Sequence, residues 1–241
     1  MDPNLQRRLD SIKGEDWGDL DLSYPDFLTY NSSRYNHVLY LFWQVDQFGG
    51  PGDQLTCCDK WTIDDVAKHV AFVSELVFNI GTPYTYPDEE KMGRIREPKR
   101  IHEDIIRSEA DSLGVDYSEV IVDAGIANQV ILRCMKGGPE RWNSQSFLDS
   151  RVLTPFGEMS VDDFLGVIWV DTLVHTWDVA DAADIEHNIS EKLAEEAYQV
   201  MKPMESRLRA SGHFGPAVET TSDSALDQFI AFTGRKSVNS N

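Results

Sequence analysis

The chain has 241 residues, 41% of them hydrophobic, enough for one core of ordinary size. Lys and Arg number 22 against 41 Asp and Glu, a formal charge of −19, so the mean field repels phosphate backbones and anionic membrane surfaces. Nucleic acid and membrane are therefore not expected as partners, and a small-molecule substrate is.

Residues 1–26 are polar and acidic, interrupted by Pro3, Gly14, Gly18 and Pro25, and read as an N-terminal extension. They show no basic start, apolar run and small-residue cleavage site, and no window of the chain approaches a membrane span, which predicts a cytoplasmic protein. A first helix is predicted over 27–48, with Leu28, Tyr35, Val38, Leu39, Phe42 and Val45 near helical spacing and a stop at Gly49-Gly50-Pro51-Gly52. The second runs from Thr62, an N-cap with Asp65 three residues on, to Gly81, with Val66, Val70, Val73, Leu76 or Val77, and Ile80 as its core stripe. Residues 82–100, rich in Pro, Tyr and charge, form a surface crossover, and a third helical region covers 100–113 and 115–137. The stretch 151–160 reads as a loop or short extended piece ending in an N-cap, Ser160, with Asp163 at N3. A long helix follows over 161–183, then an amphipathic helix over 190–209, a Gly/Pro loop over 212–218 and a closing helix over 222–233. With strand signals weak and isolated, the chain reads as all-α: a helical bundle over 27–185 and a C-terminal helical extension over 186–241.

Cys57, Cys58 and Cys134 are an odd count without C-x-x-C spacing, which argues against a disulfide framework and against a cysteine-based zinc site. Cys134, in an apolar helical run, is expected to fill core.

The 161–183 segment is apolar nearly all the way round and should be buried on most sides, yet Asp171, His175 and Asp178 fall at i, i+4 and i+7 along one stripe. Buried polar groups without partners are costly, so something must satisfy them. Two answers are open. One is an internal hydrogen-bonded network, in which Asp178 pairs with an arginine. The other is a divalent metal, because D-x-x-x-H offers an oxygen and an imidazole nitrogen from one helical face. His69 lies on the apolar face of the second helix, away from Lys68 and Glu75, which are expected at the surface. With Asp171 and His175 it makes a set of two histidines and one carboxylate, which leaves coordination positions open.

Asp178 is better placed to orient His175 or bind an arginine than to touch a metal. His37 is a candidate fourth ligand or supporting donor. Asp65 is explained by helix-start chemistry, and His102, His187 and His213 sit in polar or loop contexts and are expected to be exposed. Tyr84, Tyr86, Trp17 and Trp142 are expected at the surface, where they are candidates for a homodimer contact.

The segments "TPFGEMSVDDFLGVIWVDTLVHTWDVADAA", "WTIDDVAKHV" and "GHFGPAVETTSDSALDQFIAFTGRK" together resemble the metal-binding family related to mycothiol-dependent maleylpyruvate isomerase and the DinB-like bundles. The resemblance spans about 30–236 and implies a DinB-like four-helix bundle with a short C-terminal helical tail. It also implies a divalent metal, zinc first and nickel or iron next, held by a histidine of the second helix and an acid/histidine pair of the fourth. Those positions are His69, Asp171 and His175 here, with aspartate where the isomerase has glutamate.

The function expected on this basis is activation of a low-molecular-weight thiol of the mycothiol type, for transfer to or isomerisation of a small electrophile. Zinc stabilises a bound thiolate, so such a nucleophile exists at neutral pH. The substrate's anionic end needs a cation, for which Arg34, Arg133 and Arg235 are candidates, Arg235 through its place in the "TGR" resemblance. Two alternatives stand: a metal-dependent hydrolase using bound water, and a non-catalytic bundle that binds a small ligand or a partner with its polar stripe satisfied internally.

Overall fold

The computed structural model describes residues 29–48, 51–58, 60–78, 80, 144–154, 156–210 and 214–237, with isolated helical positions between 127 and 142. The extension over 1–26, the crossover over 82–100 and most of the third helical region lie outside these residues.

Helix α1, Tyr30–Phe48, packs along most of its length on α4, Val161–Ala183, and α2, Ile63–Phe78, lies against α4 as well. The expected stripes are buried: Tyr35, Val38, Leu39, Phe42 and Val45 on α1, and Val66, Val70, Val73, Leu76 and Val77 on α2, with Ile80 buried in the turn beyond its end. Helix α2 starts in a reciprocal capping box. The Asp65 amide donates to Thr62 Oγ1 at 3.2 Å and the Thr62 amide to the Asp65 carboxylate at 3.1 Å, satisfying two otherwise orphaned N–H groups. Glu75 is buried on α2, where the sequence places it at the surface.

Helix α3, Gln145–Leu148, leads into a hairpin of β1, Arg151–Thr154, and β2, Gly157–Ser160, paired antiparallel from Arg151↔Ser160 to Thr154↔Gly157. The sequence suggests only a loop or extended piece here. The turn forms because Gly157 takes φ of 99°, a conformation closed to most side chains, while Thr154 Oγ1 donates to the Gly157 carbonyl. Ser160 then caps α4, accepting from the Asp163 amide at 3.0 Å. The α1–α4 contact is close because α4 presents Gly166 to Asn31. A Cβ at Gly166 would lie 3.2 Å from the Asn31 amide, which also donates to the Asp162 carbonyl and accepts from Trp169 Nε1.

The segment expected as one helix over 190–209 is divided into α5, Glu191–Met201, a 3₁₀ turn, Lys202–Met204, and α6, Glu205–Ala210. Pro203 has no N–H to give the helix ladder, which explains the break. Helix α7, Ala225–Phe232, packs on α5, and Glu191 at the head of α5 accepts from Ser224 Oγ and the Ala225 amide at the head of α7. Helix dominates the described residues and the hairpin is their one sheet, so the fold is mainly α. Trp142, expected at the surface, is fully buried against Tyr35, with ring centroids 4.8 Å apart. Among the described residues no helix is long and apolar enough to cross a membrane.

Candidate metal centre

His69 reaches the centre from the middle of α2; Asp171, His175 and Asp178 reach it from successive turns of α4. The structure brings His69, Asp171 and His175 together, with one donor atom from each within 4.8 Å of the others. His69 Nε2 lies 3.0 Å from Asp171 Oδ2, and His175 Nε2 lies 3.8 Å from Asp171 Oδ1. The two imidazoles meet edge to face, centroids 4.8 Å apart, and Trp61 covers both, 5.1 Å from His69 and 6.0 Å from His175. Both histidine side chains are buried whereas Asp171 is 37% exposed, so the group opens to solvent on the carboxylate side.

Asp178 lies one turn further along and faces the other edge of the His175 ring. His175 Nδ1 is 2.8 Å from Asp178 Oδ2. With Asp178 ionised, Nδ1 carries the proton and donates, which leaves Nε2 pointing toward Asp171 and His69 as a lone-pair donor when the ring is neutral. Arg235 completes this layer: its Nε and Nη2 donate to the two oxygens of Asp178 at 2.7 and 3.1 Å. Burial pushes the Asp178 carboxyl up, but Arg235 and His175 outweigh it and hold the group well below the usual carboxylate range. Burial likewise pulls His175 down, yet Asp171, Asp178 and the Cys58 sulfur prevail and push the imidazole up to about 10. The anions around His175 thus attract positive charge strongly, as a proton or as a cation.

The fit to a divalent ion rests on the convergence of the three groups and on the donor set. Two imidazole nitrogens and a carboxylate oxygen suit zinc, nickel or iron, and a ligating histidine whose second nitrogen donates to a carboxylate is the usual arrangement in metal sites.

Arg235, a candidate for the substrate's anionic end, has its guanidinium on Asp178 and a side chain only 13% exposed. Arg34 is buried, over the Tyr30 ring, and its Nη2 donates to Glu196 at 2.9 Å. Arg133 lies outside the described residues. Neither described arginine is presented to a ligand: each meets a carboxylate inside the fold. His37 is buried on α1 and belongs to no convergent group of ligands among the described residues. His187 is half-buried rather than exposed and accepts from the Ile189 amide, while His102 and His213 lie outside the described residues.

Sequence reasoning set Cys57 and Cys58 aside on their spacing and gave Trp61 no role, yet all three lie here. The turn between Thr56 and Trp61 is closed by hydrogen bonds from the Thr56 amide to the Trp61 carbonyl, 2.9 Å, and from the Trp61 amide to the Cys58 carbonyl, 2.6 Å. It places Cys57 Sγ 3.0 Å from Asp178 Oδ1 and Cys58 Sγ 2.9 Å from Oδ2. The spacing expectation concerned sets made of cysteine alone; here the third group is a carboxylate of α4, 120 residues from Cys58. Two adjacent cysteines just before a tryptophan at a helix start were the available signal. The hydrogen bond from Cys57 lowers Cys58 while burial and Asp178 raise it; with His175 and Arg235 also lowering it, the Cys58 thiol falls below its usual range. Cys57 moves up, through its hydrogen bond to Cys58, burial and Asp178. Cys134 is fully buried in the core, as its sequence context implies.

Comparison with protein-family models, with curated proteins and with solved structures finds no match to this chain.

Proposed function

We propose that the chain is a DinB-like divalent-metal protein that activates a low-molecular-weight thiol, of the mycothiol type, for transfer to or isomerisation of a small electrophile. The observation that carries the reading is the convergence of His69, Asp171 and His175 from two packed helices, with the second nitrogen of His175 held by Asp178. In this reading His69 Nε2, His175 Nε2 and an Asp171 oxygen hold the ion, zinc first by donor chemistry. When bound, the ion supplies Lewis acidity that lowers the pKa of a thiol, or of water in a hydrolytic variant of the reaction.

The remaining work belongs to the chain itself. Asp178 and Arg235 fix the tautomer and orientation of His175, and Trp61 shields the two imidazoles from solvent. The exposed Asp171 edge is where a small molecule gains access.

A second reading is favoured by one distance. His69 Nε2 already sits 3.0 Å from Asp171, so the stripe also satisfies itself as an internal network in a non-catalytic binding bundle. Elemental analysis of untagged protein separates the two. The metalloprotein reading expects wild type to carry about one more zinc, nickel or iron per chain than His69→Ala or Asp171→Ala, as metal affinity needs all three donors. Wild-type protein that carries no such metal, and binds none on titration, sinks the reading in favour of the network. Calorimetric titration of mycothiol into metal-loaded and metal-stripped protein then tests the thiol, with binding expected only to the loaded form.

A further inference from the structure

We propose that Cys57, Cys58 and Asp178 form a second cation site, selective for soft divalent ions and distinct from the His69–Asp171–His175 group. One donor atom from each of the three residues lies within 4.8 Å of the others, and the proposed function has no use for either sulfur. The sulfurs are not brought together by chance packing. A closed turn fixes them: the Cys58 amide donates to Thr56 Oγ1 at 3.1 Å, the Cys58 carbonyl accepts from Trp61, and Lys60 takes a left-handed φ of 72°. Both thiols are half-buried, within reach of an ion from solvent, whereas the carboxylate between them is fully buried.

Charge balance favours a divalent ion. Arg235 already neutralises Asp178, with its guanidinium on both oxygens and its Nη2 3.5 Å from Cys58 Sγ. Two thiolates beside an Asp178 already offset by Arg235 leave the ligand set with two negative charges, which an ion of charge +2 neutralises as any thiol proton leaves to solvent. Donor softness sets the class. Two sulfurs and one oxygen select zinc, cadmium or mercury over magnesium or calcium, whereas the His/Asp/His group is a harder, borderline set. The two groups meet back to back across His175 and Asp178: the Nδ1 edge of the ring is on the Asp178 side and the Nε2 edge on the Asp171 side.

The inference does not rest on the first group being loaded, and cadmium tests it directly. Metal-stripped full-length protein is titrated with cadmium, following the ultraviolet thiolate-to-cadmium charge-transfer band, which imidazole and carboxylate ligands do not produce. The expected result is a band that saturates at one equivalent per chain, persists in His69→Ala, and is lost in Cys57→Ser and in Cys58→Ser. The serine variants are near-isosteric, and circular dichroism together with the urea midpoint shows that they remain folded. A band that is absent from wild type, or that survives undiminished in folded Cys57→Ser, overturns the proposal; survival would show that the two thiols do not act together. Failure of the histidine centre reads differently, as total metal content unchanged between wild type and His69→Ala.

Discussion

His37 shows what a buried titratable residue does when no ligand role claims it. Burial, with the Arg34 charge nearby, pulls its imidazole down to about 3, so the folded protein keeps it neutral throughout the physiological range. The unfolded chain protonates the same group near 6.5, so between these values the unfolded state holds more protons and stability falls as the pH falls. From pH 7 to pH 4 this residue should remove ~3 kcal/mol, while above pH 7 it should contribute no slope. Urea midpoints of wild type and His37→Phe at the two pH values check this: the variant should lose less stability on acidification, and equal losses refute it. At this scale the sequence was most legible where one helix carries the information. Asp171, His175 and Asp178 share a stripe because the helical period puts them there, and the pairing of Asp178 with an arginine follows from the price of leaving a buried carboxylate alone. Which arginine, and that it would thereby be withheld from any substrate, is a tertiary fact. So is the arrival of two thiols at the same carboxylate, since no periodicity governs a turn.

The elements were legible in proportion to their caps. The long helix begins and ends where Ser160, Asp163 and the falling apolar content place it, and α2 starts at the Thr62/Asp65 box. Ser160 is the cap on which the site depends most directly, because α4 carries Asp171, His175 and Asp178. Ser160→Ala should destabilise the protein by about 1 kcal/mol through the lost bond to the Asp163 amide. The urea midpoint should drop at an unchanged slope, and a variant as stable as wild type would show that the cap is dispensable. The amphipathic pattern over 190–209 hid the break at Pro203, because a 3₁₀ turn keeps nearly the same faces buried. The hairpin was missed for the opposite reason: four-residue strands, with Arg151 and Leu153 exposed on one side, leave too little alternation to separate them from a loop.

For the whole molecule, a metal held between two helices, as proposed above, would link metal to stability. A ligand that binds only the folded form at a free concentration near a hundred times its Kd adds ~2.7 kcal/mol. In a chain of this size that corresponds to a rise in Tm of roughly 5–10 °C. Zinc added to stripped Cys57→Ser protein should give a rise of this order, and stripped protein that also carries His69→Ala should show none; calorimetric scans of the two decide it. The mainly α character was readable from helical periodicity throughout, whereas the closing of the C-terminal part over the centre was not. Gly234 is held at φ of 86°, where a Cβ would lie 2.8 Å from the Pro216 carbonyl, and this close approach sets the path of the chain into Arg235. Arg235 follows Asp178 by 57 residues. At translation rates of about 5–20 residues per second, the α4 carboxylate is made roughly 3–11 seconds before the guanidinium that neutralises it. Until then Asp178 lacks this counter-charge, so drying the face of α4 that bears it would be costly. Arg235, just beyond the end of α7, thus supplies the counter-charge of a carboxylate made long before it, and burial of the His175 layer is least costly once the whole chain is present.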